Sequence, residues 1–146
     1  MNSRKKLVLT VYMMMFTLML FMLSFEACGE NEAFGVGPVK EELKLEPIND
    51  NMVARGRDLF NVKCVACHKF DSRLVGPPLK DVTKRRRPEW IMNQILNPLE
   101  MTQKDPVSKE LFAQYLIQMT FQDVNQLDAR AILEYFRAVD ENKVTP

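Results

Sequence analysis

The stretch FNVKCVACHKF, residues 60–70, places two thiols, Cys64 and Cys67, on either side of two residues and sets an imidazole, His68, directly after the second. His68 is the single histidine of the 146-residue chain, and there are three cysteines in all. A two-residue gap makes one turn, so both sulfurs face one edge of a bound group while the next side chain sits beneath its centre. A dithiol oxidoreductase would carry such a pair beside a βαβ pattern, which is missing. A structural zinc ion needs four ligands, and beyond the cluster only Cys28 remains, far upstream. Cys-x-x-Cys-His is the signature of covalent c-type haem attachment: both thiols add across the porphyrin vinyl groups and the adjacent imidazole reaches the iron. One covalently bound haem c is therefore the expected cofactor.

Helix signals extend from the motif in both directions. Asn49 or Asp50 can cap a first helix that carries Val53, Gly56, Leu59 and Phe60 up to Cys64. The GPP stretch at 76–78 cannot continue regular structure. RPEWIMNQIL starts a second helix with Pro88 at its first position and Glu89 in its first turn, and Asn97-Pro98 stops it. Asp105-Pro106 opens a third, with Leu111, Phe112, Tyr115 and Leu116 at helical spacing. Asn125 and Asp128 form a capping-box-like start for a last helix holding Leu127, Ala131, Ile132, Tyr135 and Phe136. No strand signal competes. The domain, residues 50–146, is expected to be all-α, about four short helices with loops that are long for so few apolar residues. Something besides side chains must fill its centre, and a chance occurrence of the motif would leave that centre unexplained.

The N-terminus carries a different message. Arg4, Lys5 and Lys6 precede a 19-residue apolar block, Leu7 to Phe25, interrupted only by Thr10, Thr17 and Ser24. Residues 1–27 read as a signal peptide or membrane anchor, with the bases inside and the remainder exported and held at the membrane, periplasmic or on the outer face of the cell. Cys28 follows Ala27 and opens CGENEAFGVG, much as the acylated cysteine of a bacterial lipoprotein opens its tether. Lipid attachment at Cys28 is the preferred reading, ahead of a retained helix and of plain cleavage. Residues 28–49, rich in Gly, Pro, Glu and Lys without a sustained period, read as a flexible tether with a coil span of roughly 25 Å. The formal net charge of +1 selects no partner class, and nucleic acid is a poor partner for an exported protein.

A haem held by His68 needs a second axial donor. No other histidine exists, so a methionine thioether is the strongest remaining ligand. Met52 lies too near the start of the first helix, and Met92 sits within a helix beside Trp90. Met101 and Met119 remain. Met119 is favoured because it lies 51 residues past His68 in the irregular stretch QMTFQDVN, whose backbone is free to lay the side chain over the other haem face.

At these residues, from about Gly56 to Arg137, the chain resembles the class I monohaem cytochrome c family. Gly56 and Phe60 match the family's first helix, whose glycine lets the last helix cross closely, and Ile132 and Tyr135 look like the answering residues. The GPPL stretch resembles the Gly-Pro-x-Leu loop, which implies that the Pro77 carbonyl accepts the proton of the other imidazole nitrogen of His68 and so raises its donor strength. Arg85 and Trp90 resemble the groups that donate to a haem propionate. Thr120 departs from the Met-Pro pairing common in the family. The segment LVGPPLKDVTKRRRPEWIMNQILNP looks like that of small cytochromes c of nitrogen-oxide respiration, nitrous-oxide reductase among the acceptors, and a terminal oxidase fits comparably.

The resemblance implies a one-electron carrier, not an enzyme, working between a respiratory donor complex and a terminal reductase or oxidase. His68 and a methionine fill both axial positions and leave no site for substrate. The alternative is a five-coordinate haem enzyme or gas-binding sensor, which the lack of a second histidine for distal acid-base work disfavours. A non-redox interaction module would require that no haem be retained. Lys63, Lys69, Arg73, Lys80, Lys84, Arg85, Arg86 and Arg87 are expected to surround the haem edge and steer an acidic redox partner.

Overall fold

The structure is a computed structural model that describes residue 8, residues 10–17, residue 19 and residues 34–146. It divides into two units, Met1–Glu30 and Asn31–Pro146. In the first, residues 10–17 are helical and exposed. Among the described residues no helix is long and apolar enough to cross a membrane. Cys28 and the remainder of the leader lie outside the described residues.

The second unit is all-α, with no strand among its described residues. Six helices follow one another: α1 (Asp50–Lys63), α2 (Val82–Arg85), α3 (Pro88–Leu96), α4 (Pro98–Lys104), α5 (Pro106–Tyr115) and α6 (Gln126–Asp140). Their starts follow side-chain chemistry. Asn49 caps α1 by accepting the Met52 N–H at 3.1 Å. Asp105 caps α5 by accepting the Ser108 N–H at 2.8 Å. Asn125 and Asp128 complete a reciprocal capping box on α6, at 2.9 and 3.3 Å. The Asn97-Pro98 pair both stops α3 and starts α4, since a proline that cannot continue one helix is well placed at the first position of the next.

Helices α1 and α6 cross at Gly56. A Cβ there would run into the Ala131 carbonyl and lie 2.9 Å from the Tyr135 Cβ, so the crossing needs glycine. Tyr135 answers Gly56 as expected, but the second answering group is the backbone of Ala131, while Ile132 faces a cavity. Beside the crossing, Phe60, Phe70, Tyr135 and Phe136 pack with ring centroids 5.3–6.3 Å apart, pairs worth about 0.5–1.5 kcal/mol each beyond their buried area.

The tether expected over 28–49 needs correction: its described part, 34–49, is a strap bound to the domain. Asn93, fully buried on α3, accepts the Val39 N–H at 2.9 Å and donates to the carbonyls of Phe34 and Val39, both at 2.9 Å. Glu89, also fully buried, accepts the Leu43 N–H at 2.6 Å, and Arg137 donates to the Glu46 carbonyl at 3.2 Å. An extended segment without its own ladder can lie on a core only if side chains satisfy its backbone groups. The polar face of α3 does so.

Candidate functional site

Helix α1 ends at Lys63, and the next residues close into a turn in which the N–H groups of Cys67 and His68 both reach the Cys64 carbonyl at 3.0 Å. The Cys67 carbonyl in turn accepts from Gly76 at 2.9 Å and Val75 at 3.2 Å, which brings the GPP loop against the motif. Cys64, Cys67 and His68 therefore share one wall. Both cysteines are free thiols, Cys64 half-buried and Cys67 exposed. Burial pushes the Cys64 thiol up to about 11, against the opposing charge of Lys63. A redox dithiol requires the opposite, a lowered value.

His68 Nδ1 lies 3.0 Å from the Pro77 carbonyl. A carbonyl can only accept, so Nδ1 carries the proton and Nε2 keeps the lone pair that a metal needs. Burial holds the imidazole pKa below its ordinary value, with the Pro77 bond opposing. Gly76 closes on the ring: a Cβ there would stand 2.5 Å from Cε1.

The wall belongs to a cavity of about 480 Å³ whose surface is mostly apolar, including Val75, Leu79, Ile91, Ile95, Ile132 and Phe136. That volume lies in the range of roughly 300–1,000 Å³ usual for cofactor sites. Met119 reaches the same cavity from the segment between α5 and α6, with Gln94 Nε2 3.7 Å from its Sδ. Met101 does not: it is fully buried and its Sδ accepts the Val36 N–H at 2.9 Å. Met92 is core.

Arg85 lines the cavity and donates to the carbonyls of Lys80 at 2.6 Å and Pro78 at 3.3 Å. Trp90, the other residue expected to donate to a propionate, borders the same cavity. Its ring is part of the wall, but Nε1–H donates to Asp105 Oδ1 at 3.1 Å, the same carboxylate that caps α5. Much of the basic run is also engaged: Lys80 with Asp71 at 3.5 Å, Lys84 with Asp81 at 2.7 Å, and Arg87 with Glu42 at 3.1 Å and Glu89 at 3.2 Å. Lys63, Arg85 and Arg86 alone of that run line the cavity. Sequence reasoning missed Gln94 and Ser108, whose hydroxyl donates to Gln94 Oε1 at 2.6 Å inside the cavity. Nothing in a single sequence marks a glutamine in a helix as facing a site.

Among the described residues no cluster of three or more His, Cys, Asp or Glu side chains is placed to hold a metal ion. The donors instead suit a flat, largely apolar group that brings its own equatorial ligands: two thiols and an imidazole on one wall, a thioether from another segment, and apolar side chains between.

Comparison with known proteins agrees. The family model described as Cytochrome c matches residues 53–140. The structure of cytochrome c from Rhodothermus marinus is 47% identical, with 77% of this chain and 99% of that chain covered and a TM-score of 0.73. An engineered cytochrome c from the same organism, bound to a carbene intermediate, is 46% identical over 77% of this chain and 100% of that one, with a TM-score of 0.70. A cytochrome c domain from Pseudomonas putida is 26% identical over 62% and 92%, with a TM-score of 0.54. No curated protein matches the chain. By its attachment turn, its crossing helices and these likenesses, the chain belongs to the cytochrome c family, haem electron carriers whose cofactor is one covalently bound haem c.

Proposed function

We propose that the protein carries single electrons between a respiratory donor complex and a terminal reductase or oxidase outside the cytoplasm, with His68 and Met119 as axial ligands and Cys28 as the point of lipid attachment. The observation that carries the ligation is that Nε2 is the free nitrogen of His68 while Met119 lines the same cavity and the sulfur of Met101 is engaged by Val36. When bound, the haem would supply an iron centre able to take up and release one electron. His68 would hold the iron through Nε2, its ring fixed by Pro77 and packed on Gly76. Met119 supplies a neutral thioether, which favours the reduced state and a positive potential. The apolar lining keeps water out, so little rearranges around either oxidation state.

Visible spectroscopy tests the ligation. The ferric protein should show the sulfur-to-iron band near the red edge, and Met119→Ala should abolish it. A band that persists in Met119→Ala, or a wild-type protein that lacks the band and binds carbon monoxide at once when reduced, would refute it. The membrane reading rests on the leader sequence alone. Mass spectrometry of the mature chain should report one haem and an acylated Cys28, and an unmodified Cys28 would remove lipid attachment.

A further inference from the structure

We propose that Lys63 and Arg73 are positioning residues that grip the two ends of the segment bearing Met119 and so keep its thioether on the iron. The inference rests on Met119 being the sixth ligand. Between α5 and α6 the chain has no regular secondary structure. At both ends of the part that carries Met119 it turns through a left-handed residue that is not glycine, Leu116 at φ 55° and Asp123 at φ 51°. Side-chain crowding disfavours that conformation, which persists only where the surroundings enforce it.

Two cations from the haem-attachment part of the chain sit at those corners. At the first, the Arg73 guanidinium lies over the Tyr115 ring, 4.6 Å from its centroid, and donates to the Tyr115 carbonyl at 3.4 Å, one residue before Leu116. At the second, Lys63 Nζ donates to the carbonyls of Gln122 at 2.8 Å and Asp123 at 3.4 Å. Lys63 immediately precedes Cys64, and Arg73 follows His68 by five residues. Both grips therefore start from the stretch that is bonded to the porphyrin, and they locate the segment relative to the haem itself. Gln118 adds a hold on the middle by donating to Thr102 Oγ1 at 3.0 Å and to the Pro98 carbonyl at 3.2 Å. Thr120 follows Met119, and no proline stiffens residues 116–125. These cross-links supply the restraint from outside the segment.

The test uses the haem-loaded full chain with Lys63→Gln, Arg73→Gln, the double variant and Lys63→Arg. Carbon monoxide should bind the reduced Lys63→Gln protein roughly tenfold faster than wild type, the size expected for losing one charge-assisted hydrogen bond. The double variant should be faster still, and Lys63→Arg should return toward wild type. Amide exchange should rise over residues 116–123 and stay unchanged in α1 and α6, which separates a local release from general loosening. Variants that keep the wild-type rate and exchange pattern would overturn the inference while leaving the ligation intact. A wild-type protein without the sulfur-to-iron band would overturn the ligation and the inference with it.

Discussion

A methyl group at Gly76 would sit 2.5 Å from His68 Cε1 and 3.0 Å from both ring nitrogens. The ring cannot retreat without stretching its bond to Pro77, which has only 3.0 Å between the heavy atoms. Gly76→Ala should therefore cost about 1–3 kcal/mol, the usual range for overpacking a tight site, and should perturb the haem spectrum through the proximal ligand. A denaturant midpoint unchanged from wild type would contradict this. The same scale separates the methionines. Both Met101 and Met119 sit where a sequence allows a ligand, and what distinguishes them is a backbone N–H from residue 36, a contact between segments 65 residues apart. No local pattern carries that information.

Among the elements, the strap owes its place to Asn93. Asn93→Ala would strip partners from the Val39 N–H and from the carbonyls of Phe34 and Val39 at once. A loss of roughly 2–3 kcal/mol is expected from buried backbone groups left unsatisfied, with amide exchange and proteolysis rising first within residues 34–43. Helix α6 presents a pH-sensitive joint. The Asp128 carboxyl is held below its ordinary value of 3.8 chiefly by the hydrogen bond from Arg55, with burial opposing and the Asn125 N–H helping. Since the folded pKa is the lower one, this stability is present in full above the ordinary value and disappears as pH falls through the depressed one. Asp128→Asn should be less stable than wild type at pH 7, by about 1 kcal/mol or less because Arg55 is largely exposed. The gap should close as unfolding is measured below about pH 4. The caps that start α1, α5 and α6 were legible from the sequence, because Asn, Asp and Pro act on their own first turn. The strap was not. Val36, Val39 and Leu43 are too sparse to form a period, and Glu89 and Asn93 look like solvent-facing positions until the segment they bind lies across them.

For the whole molecule, the attachment site was legible because covalent chemistry demands its spacing, and the all-α character because capping and period agreed. The expectation that side chains alone could not fill the centre has a measurable counterpart in the cavity of about 480 Å³. Left unfilled, its mostly apolar walls would face water or close up on one another, and either outcome forfeits burial worth about 25 cal/mol per Å². The crossing of α1 and α6 and its aromatic cluster lie beside the cavity, yet Ile132 and Phe136 on α6 also line it, so loss of the filling reaches the crossing directly. A Cys64→Ala, Cys67→Ala chain, which cannot be joined to haem, should keep much of its far-ultraviolet helical signal. It should lose its near-ultraviolet signal and unfold without a cooperative step, the behaviour of a collapsed chain without fixed packing. A sharp, two-state melt of that variant would mean that the helices close over the gap unaided and that the porphyrin is a passenger in the fold.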